Sequence, residues 1–254
     1  MTSPKDPYSR LNYRRLIAWP KRIEREWPLI EEVLSSGPAR RVLDVGCGTG
    51  EHARFLAEQG FDVVGVDAAE SMITQALEEP LPPNLRFVHG DASRLASLTE
   101  GRFGGALCLG NTLPHLTTEA ALHGLLTGLR RRLAPSAPFL LQVLNYQRIF
   151  ERHERHLPLN FRSHDDGESV FLRLMEPQDD GRVLFFPTTL KLRPEADPPV
   201  TVVTSRRVEL RGWKPGEIEA AFDAAGFSER VFYGAFDKRP FDPLESRDLI
   251  LVAR

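Results

Sequence analysis

The stretch RVLDVGCGTGEHARFLAEQGFDVVGVD, residues 41–67, most constrains what this chain can fold into. An apolar run of strand length leads into Gly46, Gly48 and Gly50. An amphipathic segment then runs to Gly60, and a second apolar run ends on Asp67. Strand, glycine turn, helix, strand is the pattern of a parallel βαβ unit. Glycines at that turn let the backbone approach a ligand closely and aim the free amides of the next helix at it. Asp67 comes 21 positions after Gly46, at the end of the second strand. A carboxylate there can accept both hydroxyls of an adenosine ribose.

The alternation continues. LRFVHGD, GGALCLG and FLLQVLN read as third, fourth and fifth strands, with helices over SMITQALEE and TEAALHGLLTGLRRRL. Such alternation predicts a mostly parallel sheet covered on both faces. After Asn145 the pattern changes. SVFLRLMEP, GRVLFFPTTLKLR and VTVVTSRRVELR are strand-like and separated by turns or proline-rich loops, which predicts an antiparallel insertion. A helix over KPGEIEAAFDAAGF and two last strands, RVFYGAF and DLILVAR, close the chain. The expected organisation is an N-terminal helical cap over residues 1–37 and a Rossmann-like core over 38–149. A β-rich insertion over 150–210 follows, and residues 211–254 complete the core. The N-terminal helices are expected over the top of the sheet.

Which nucleoside the glycine turn serves follows from charge. A dinucleotide fingerprint needs a small residue three after its second glycine, and Glu51 stands there, with Asp44 ending the first strand. Two carboxylates repel a diphosphate and suit a ligand carrying an ammonium and a sulfonium, which is S-adenosylmethionine. A P-loop is excluded, since no Lys-Ser/Thr follows the glycines.

Composition bounds the rest. Across 254 residues, 33 basic against 35 acidic side chains give a net charge of −2, which provides no electrostatic footprint for nucleic acid. Two cysteines, Cys47 and Cys108, sit in apolar contexts without disulfide or zinc spacing and read as small buried residues of a reducing compartment. No apolar stretch is long enough to span a membrane. The expectation is a cytoplasmic protein without nucleic-acid or membrane partners, acting on a small molecule, with homo-oligomerisation left open. The segment HERH at 153–156 lacks the order of a zinc motif and reads as solvated surface, so no metal is expected.

The motif LDVGCGTG, the acid at Asp67 and HGDAS after the third strand resemble the class I S-adenosylmethionine-dependent methyltransferases over most of the chain. That resemblance implies a seven-stranded, mostly parallel sheet with a C-terminal antiparallel hairpin, and S-adenosylhomocysteine as product. It implies that Met72 packs on adenine, that Asp91 lies near the adenine amino group, and that Leu109 and Gly110 border the methionine part. Asp44, Gly46, Cys47, Gly48, Ala68, Gly90, Ala92 and Asn111 belong to the same cofactor motifs.

Further segments resemble the glycine and sarcosine N-methyltransferases: LIAWPKRIEREW, CLGNTLPHL, LNYQRIF and YGAF. This likeness implies that Trp19 and Arg22 reach the cofactor, with Arg22 on its carboxylate. It also implies that Asn145, beside Tyr146, faces an acceptor carboxylate. Thr112-Leu113-Pro114 departs from that subgroup's pattern, and the insertion does not align with it. His115 reads equally as a proton acceptor near the transferred methyl or as a loop-fixing histidine. Asn111 and Asn145 read as site residues or as caps. Arg148, Arg162 and Arg173 are alternatives for binding an acceptor carboxylate.

The expected function is methylation of a small amine such as glycine or sarcosine by in-line displacement. The alternatives are O- or N-methylation of a larger metabolite and a non-catalytic cofactor sensor.

Overall fold

In a computed structural model, Arg14 and residues 17–164 and 167–254 of the chain are described. The expectation of helix over the first residues therefore lies in part, at 1–13 and 15–16, outside the described residues.

The first element is α1 (Trp19–Ser35), continuous through Pro28, followed by β1 (Arg41–Val45), α2 (Glu51–Glu58), β2 (Asp62–Asp67), α3 (Glu70–Ala76) and β3 (Leu85–His89). A 3-10 turn at Ala92–Arg94 runs into α4 (Leu95–Leu98) before β4 (Gly105–Cys108). Another such turn, Leu113–His115, precedes α5 (Glu119–Arg132), β5 (Phe139–Leu144) and α6 (Tyr146–Glu151). Then come β6 (Asn160–His164), β7 (Gly167–Pro177), β8 (Arg182–Leu192), β9 (Val200–Ser205) and β10 (Val208–Arg211). The chain ends with α7 (Pro215–Ala224), β11 (Arg230–Tyr233) and β12 (Asp248–Ala253).

Seven strands form the main sheet in the order β11-β12-β5-β4-β1-β2-β3. β3, β2, β1, β4 and β5 are mutually parallel; β12 adds antiparallel to β5, and β11 pairs antiparallel with β12 at the edge. The alternating pattern predicts the parallel part of this sheet, and the seven strands with an antiparallel C-terminal hairpin are what the resemblance implies. β1 lies in the middle with β4 on one side and β2 on the other, so the strand order reverses there. Ligands of open α/β sheets collect beyond the strand ends at such a switch point.

Both faces of the sheet are covered. α1 lays Leu29, Ile30, Val33 and Leu34 against Val42, Val63, Leu107, Leu140 and Ile250, together with Leu56 of α2. Burying each such side chain contributes about 1.5–3 kcal/mol. α1 thus packs on a face of the sheet, and only its first turns, with Trp19 and Arg22, reach the strand ends. The opposite face is covered by Leu122, Leu125, Leu126 and Leu129 of α5 and by Ile218 and Phe222 of α7, over Leu43, Ala106, Phe139 and Leu251. α5 is set by its ends: the Thr118 hydroxyl accepts the Ala121 amide, Glu119 occupies the first turn and three arginines the last.

The insertion forms a second, antiparallel sheet in the order β10-β8-β7-β6, with β9 also on β8. VTVVTSRRVELR, one run in sequence, is two strands. β9 pairs with the end of β8 from Thr188 and β10 with its start at Arg182–Phe185. Pro187 sits between these two stretches and has no amide hydrogen, so the ladder breaks opposite it and only its carbonyl is used, by the Arg206 amide. Among the described residues no helix is long and apolar enough to cross a membrane.

Candidate active site

At the ends of β1, β2 and β4 the main sheet opens into a cavity of about 840 Å³. The glycine turn after β1 forms its floor. Gly46 and Gly48 hold φ angles of +71° and +57°, in the left-handed region that side chains other than glycine rarely adopt. A Cβ on Gly46 would fall 2.1 Å from Thr112 Cγ2, so this glycine lets the loop after β4 close onto the turn. A Cβ on Gly48 would meet no described atom within 4 Å, because its α-carbon faces the cavity. Asp67 ties the turn to the end of β2: its Oδ2 accepts the Gly48 amide and its Oδ1 the Ala69 amide, both at 2.8 Å.

Asp44, at the end of β1, is 3% exposed, and its Oδ2 has no hydrogen-bond partner among the described residues. Burial pushes its carboxyl up to about 6; the nearby charges of Asp67 and Glu51 push the same way, while His52 and Arg22 pull it down. A buried carboxylate oxygen without a donor is costly to keep, and here it lines the cavity. This is the acceptor an ammonium group requires.

Opposite Asp44, α1 contributes Trp19 and Arg22, whose guanidinium lies 5.0 Å from the Trp19 ring centroid and beside Gly110. Arg22 Nε donates to Glu26 Oε1 at 2.9 Å. The loop after β4 is fixed from behind, with the Gly110 amide donating to Gln142 Oε1 at 2.8 Å and Gln142 Nε2 donating to Asp248 at 2.7 Å. Asn111 stands at φ +66°, clamped by the Leu144 amide on its Oδ1 and by the Tyr146 hydroxyl at 2.9 Å from its Nδ2. His115, one turn on, lines the cavity with its ring exposed there; the protein packed around it displaces water and lowers its imidazole to about 4, which leaves it neutral at physiological pH.

Of the residues expected in a cofactor site, Trp19, Arg22, Asp44, Gly46, Cys47, Gly48, Asp67, Ala68, Met72, Asp91, Ala92, Leu109, Gly110 and Asn111 all line this one cavity. Gly90 does not. It stands behind Asp67, donating its amide to that residue's carbonyl at 2.9 Å, and a Cβ on it would strike Leu98. Asp91 does double duty, capping the turn after β3 by accepting the Ser93 amide.

Of the three expected catalytic residues, only His115 lines the cavity. Asn145 is buried elsewhere and its amide is fully used: Nδ2 points at the carbonyls of Asp242, Pro243 and Ser246, and Oδ1 caps α6 by accepting the Arg148 amide. The capping reading of Asn145 is the one its geometry supports. Tyr146 is also buried and reaches the cavity only through Asn111; burial pushes its hydroxyl well above the ordinary phenol range. Arg148 pairs with Glu154 at 2.5 Å and Arg173 donates to the Pro158 carbonyl at 2.9 Å; neither they nor Arg162 lines the cavity. His153 and His156 are both exposed, and among the described residues no His/Cys/Asp/Glu group is spaced to hold a metal.

The cavity also holds residues that sequence reasoning did not single out. His52 is the second residue of α2, edge-on to Trp19 at 5.5 Å between ring centroids. Thr49, Glu70, His89 and Thr112 line the walls. Thr49 and His52 adjoin the glycine motif in sequence, while Glu70, His89 and Thr112 stand at or just after the C-terminal ends of β2, β3 and β4, which is the signal that could have found them.

A family model described as a methyltransferase domain matches residues 42–136. The glycine/sarcosine N-methyltransferase of Aphanothece halophytica is 33% identical over 138 residues, covering 54% of this chain and 52% of that protein. That of Halorhodospira halochloris is 32% identical over 172 residues, covering 67% and 63%. The chain spans about half the length of the first of these curated relatives. Among solved structures, the CcbJ methyltransferase of Streptomyces caelestis superposes with a TM-score of 0.74 at 24% identity, over 98% of this chain and 96% of that one. CalS10, an amino pentose methyltransferase from Micromonospora echinaspora solved with S-adenosylmethionine bound, superposes with a TM-score of 0.72 at 21% identity, over 100% and 99%. Matching motif, strand order and cavity agree: residues 42–136 match a methyltransferase-domain model, within a fold shared with solved methyltransferases.

Proposed function

We propose that the protein transfers a methyl group from S-adenosylmethionine to the nitrogen of a small molecule. The observation that carries the reading is the unpartnered, buried Oδ2 of Asp44 in a cavity that also holds Asp67 and Arg22. These three groups match, in charge and order, an amino-acid ammonium, a ribose diol and a carboxylate. In this reading Asp44 takes the ammonium, Asp67 the ribose hydroxyls and Arg22 the carboxylate, through the planar fork that suits it. Met72 and Ala92 flank the adenine, Asp91 faces its amino group, and Leu109, Gly110 and Asn111 border the methionine chain. S-adenosylmethionine supplies an electrophilic methyl on a sulfonium, so the protein's contribution is alignment and exclusion of water.

An amine reacts only as the neutral base, so a proton must leave it before or during transfer. His115 is neutral at physiological pH and lines the cavity, and we assign it as acceptor of that proton. Nitrogen as the acceptor atom is supported from two sides. The curated relatives are named as N-methyltransferases of glycine and sarcosine, and among the structural neighbours one is titled a sugar N-methyltransferase.

A second reading of the acceptor is favoured by Asn145. Its amide is consumed by backbone groups, so it does not offer the carboxylate contact an amino-acid acceptor would use. An amine on a larger, uncharged framework needs no such contact and fits that geometry. Methyl transfer from labelled S-adenosylmethionine to glycine, sarcosine and a panel of amino sugars separates the two. Turnover on glycine or sarcosine supports the amino-acid acceptor, and turnover on amino sugars alone supports the larger one. Tight cofactor binding with no transfer to any amine would overturn the enzymatic reading in favour of a sensor.

A further inference from the structure

Glu26 lies on α1, one turn after Arg22, and is 2% exposed. Three donors converge on it: Arg22 Nε at 2.9 Å and Arg25 Nη2 at 3.1 Å on Oε1, and His52 Nε2 at 2.9 Å on Oε2. Two of the three, Arg22 and His52, line the cavity, and His52 also holds the edge of Trp19, a third lining residue. Glu26 itself does not line it. Burial raises the energy of its charged form, yet the hydrogen bond from His52 and the charge of Arg22 outweigh that and hold its carboxyl down at about 2. It is therefore an anion throughout the physiological range.

An i,i+4 ion pair on a helix surface is ordinary and contributes little. This one differs in two respects: it is buried, and the second oxygen of Glu26 leaves the helix to bind His52 in the first turn of α2, just after the glycine turn. By occupying Nε, Glu26 fixes the guanidinium about its own axis and turns the Nη groups toward Gly110. By occupying His52, it locks that orientation to the start of α2.

We propose that Glu26 is a positioning residue for the amino-acid end of the cofactor, acting through Arg22 and His52 without touching the ligand. This rests on the cofactor reading given above. Without Glu26, Arg22 keeps its charge but loses the anchor on its Nε, and more of a long side chain must then be ordered at binding.

The test compares two ligands by calorimetry on the full chain. S-adenosylhomocysteine carries the amino-acid end, and 5′-methylthioadenosine lacks it. Glu26→Ala is expected to weaken S-adenosylhomocysteine about tenfold and to leave 5′-methylthioadenosine within twofold of wild type. Arg22→Ala is expected to show the same selectivity, and the double variant no further loss, because the two act as one unit. Glu26→Gln, which keeps an oxygen for Arg22 Nε, is expected to recover part of the affinity. Equal loss on both ligands would reduce Glu26 to a structural residue, and unchanged or tighter S-adenosylhomocysteine binding would also overturn the proposal. Should Glu26→Ala fail to fold, the same two-ligand comparison on Glu26→Gln decides between these outcomes. A wild-type protein that binds neither ligand would overturn the cofactor reading, and this one with it.

Discussion

Asp67 accepts the amide of Gly48 on one carboxylate oxygen and that of Ala69 on the other, each at 2.8 Å. The end of β2 is thereby stitched to the turn after β1, and the same carboxylate faces the cavity. Removing it has two separable effects. Asp67→Ala is expected to lower stability by about 1–3 kcal/mol, from two amides left without an acceptor, read as a drop in Tm without ligand. It is also expected to weaken S-adenosylmethionine binding by about two orders of magnitude, beyond what the stability loss explains. A normal cofactor Kd in a folded variant would remove Asp67 from the ribose.

The two central glycines of the turn are expected to fail differently. Gly48→Ala places its methyl in open space, so the fold bears only the strain of positive φ, about 1 kcal/mol. Cofactor binding, which needs that space, is expected to fall at least tenfold. Gly46→Ala drives a methyl into Thr112 and is expected to destabilise the protein severely, with poor soluble yield. Tm and ligand titration on the pair check this; equal stability of the two variants would contradict the loop closure described here.

These local devices were legible because they lie within one βαβ unit, where spacing fixes geometry: Gly46, Gly48 and Asp67 could be placed from sequence, and the cavity contains all three. Glu26–His52 could not. It joins residues 26 apart on two helices whose mutual packing depends on the core beneath α1, and no spacing rule reports it. Asn145 shows the limit of residue type. Asparagine after a strand serves equally as a ligand contact or a cap, and only the carbonyls of the 242–246 turn, a hundred residues away in sequence, decide for the cap. The break between β9 and β10 was likewise hidden, since it follows from Pro187 on the neighbouring strand.

Asp44 makes a prediction whose sign is set by linkage. Its folded carboxyl titrates near 6 against an ordinary 3.8, so between those values the folded protein holds a proton that the unfolded chain has released. The stability contributed by that proton is complete below pH 3.8 and is lost as pH rises through 6. Asp44→Asn removes this loss. The Tm difference, variant minus wild type, is expected to shift in the variant's favour between pH 4.5 and pH 8, by the equivalent of on the order of 2 kcal/mol. The same variant is expected to bind S-adenosylmethionine far more weakly, because a neutral amide cannot pair with the ammonium. A pH-independent Tm difference would show that Asp44 is not carrying a buried charge in the ligand-free protein.

His115 yields the sharpest separation of chemistry from binding. If its imidazole takes the proton of the acceptor amine, His115→Gln is expected to lower kcat by about 10²-fold, the usual contribution of a positioned base. Cofactor Kd should then stay within a few-fold of wild type. Water displaced by the protein around the ring lowers the imidazole to about 4 against an ordinary 6.5, so folding keeps it neutral while the unfolded chain takes up a proton below 6.5. Its linked stability is therefore present above pH 6.5 and lost as pH falls toward 4, and the variant should lose less Tm over that interval than wild type. A histidine that only fixes the loop gives a different pair of results: the same acid-stability difference, with kcat and cofactor affinity falling together. Measuring kcat, cofactor Kd and Tm between pH 4.5 and pH 8 on one variant distinguishes the proton acceptor from the loop anchor.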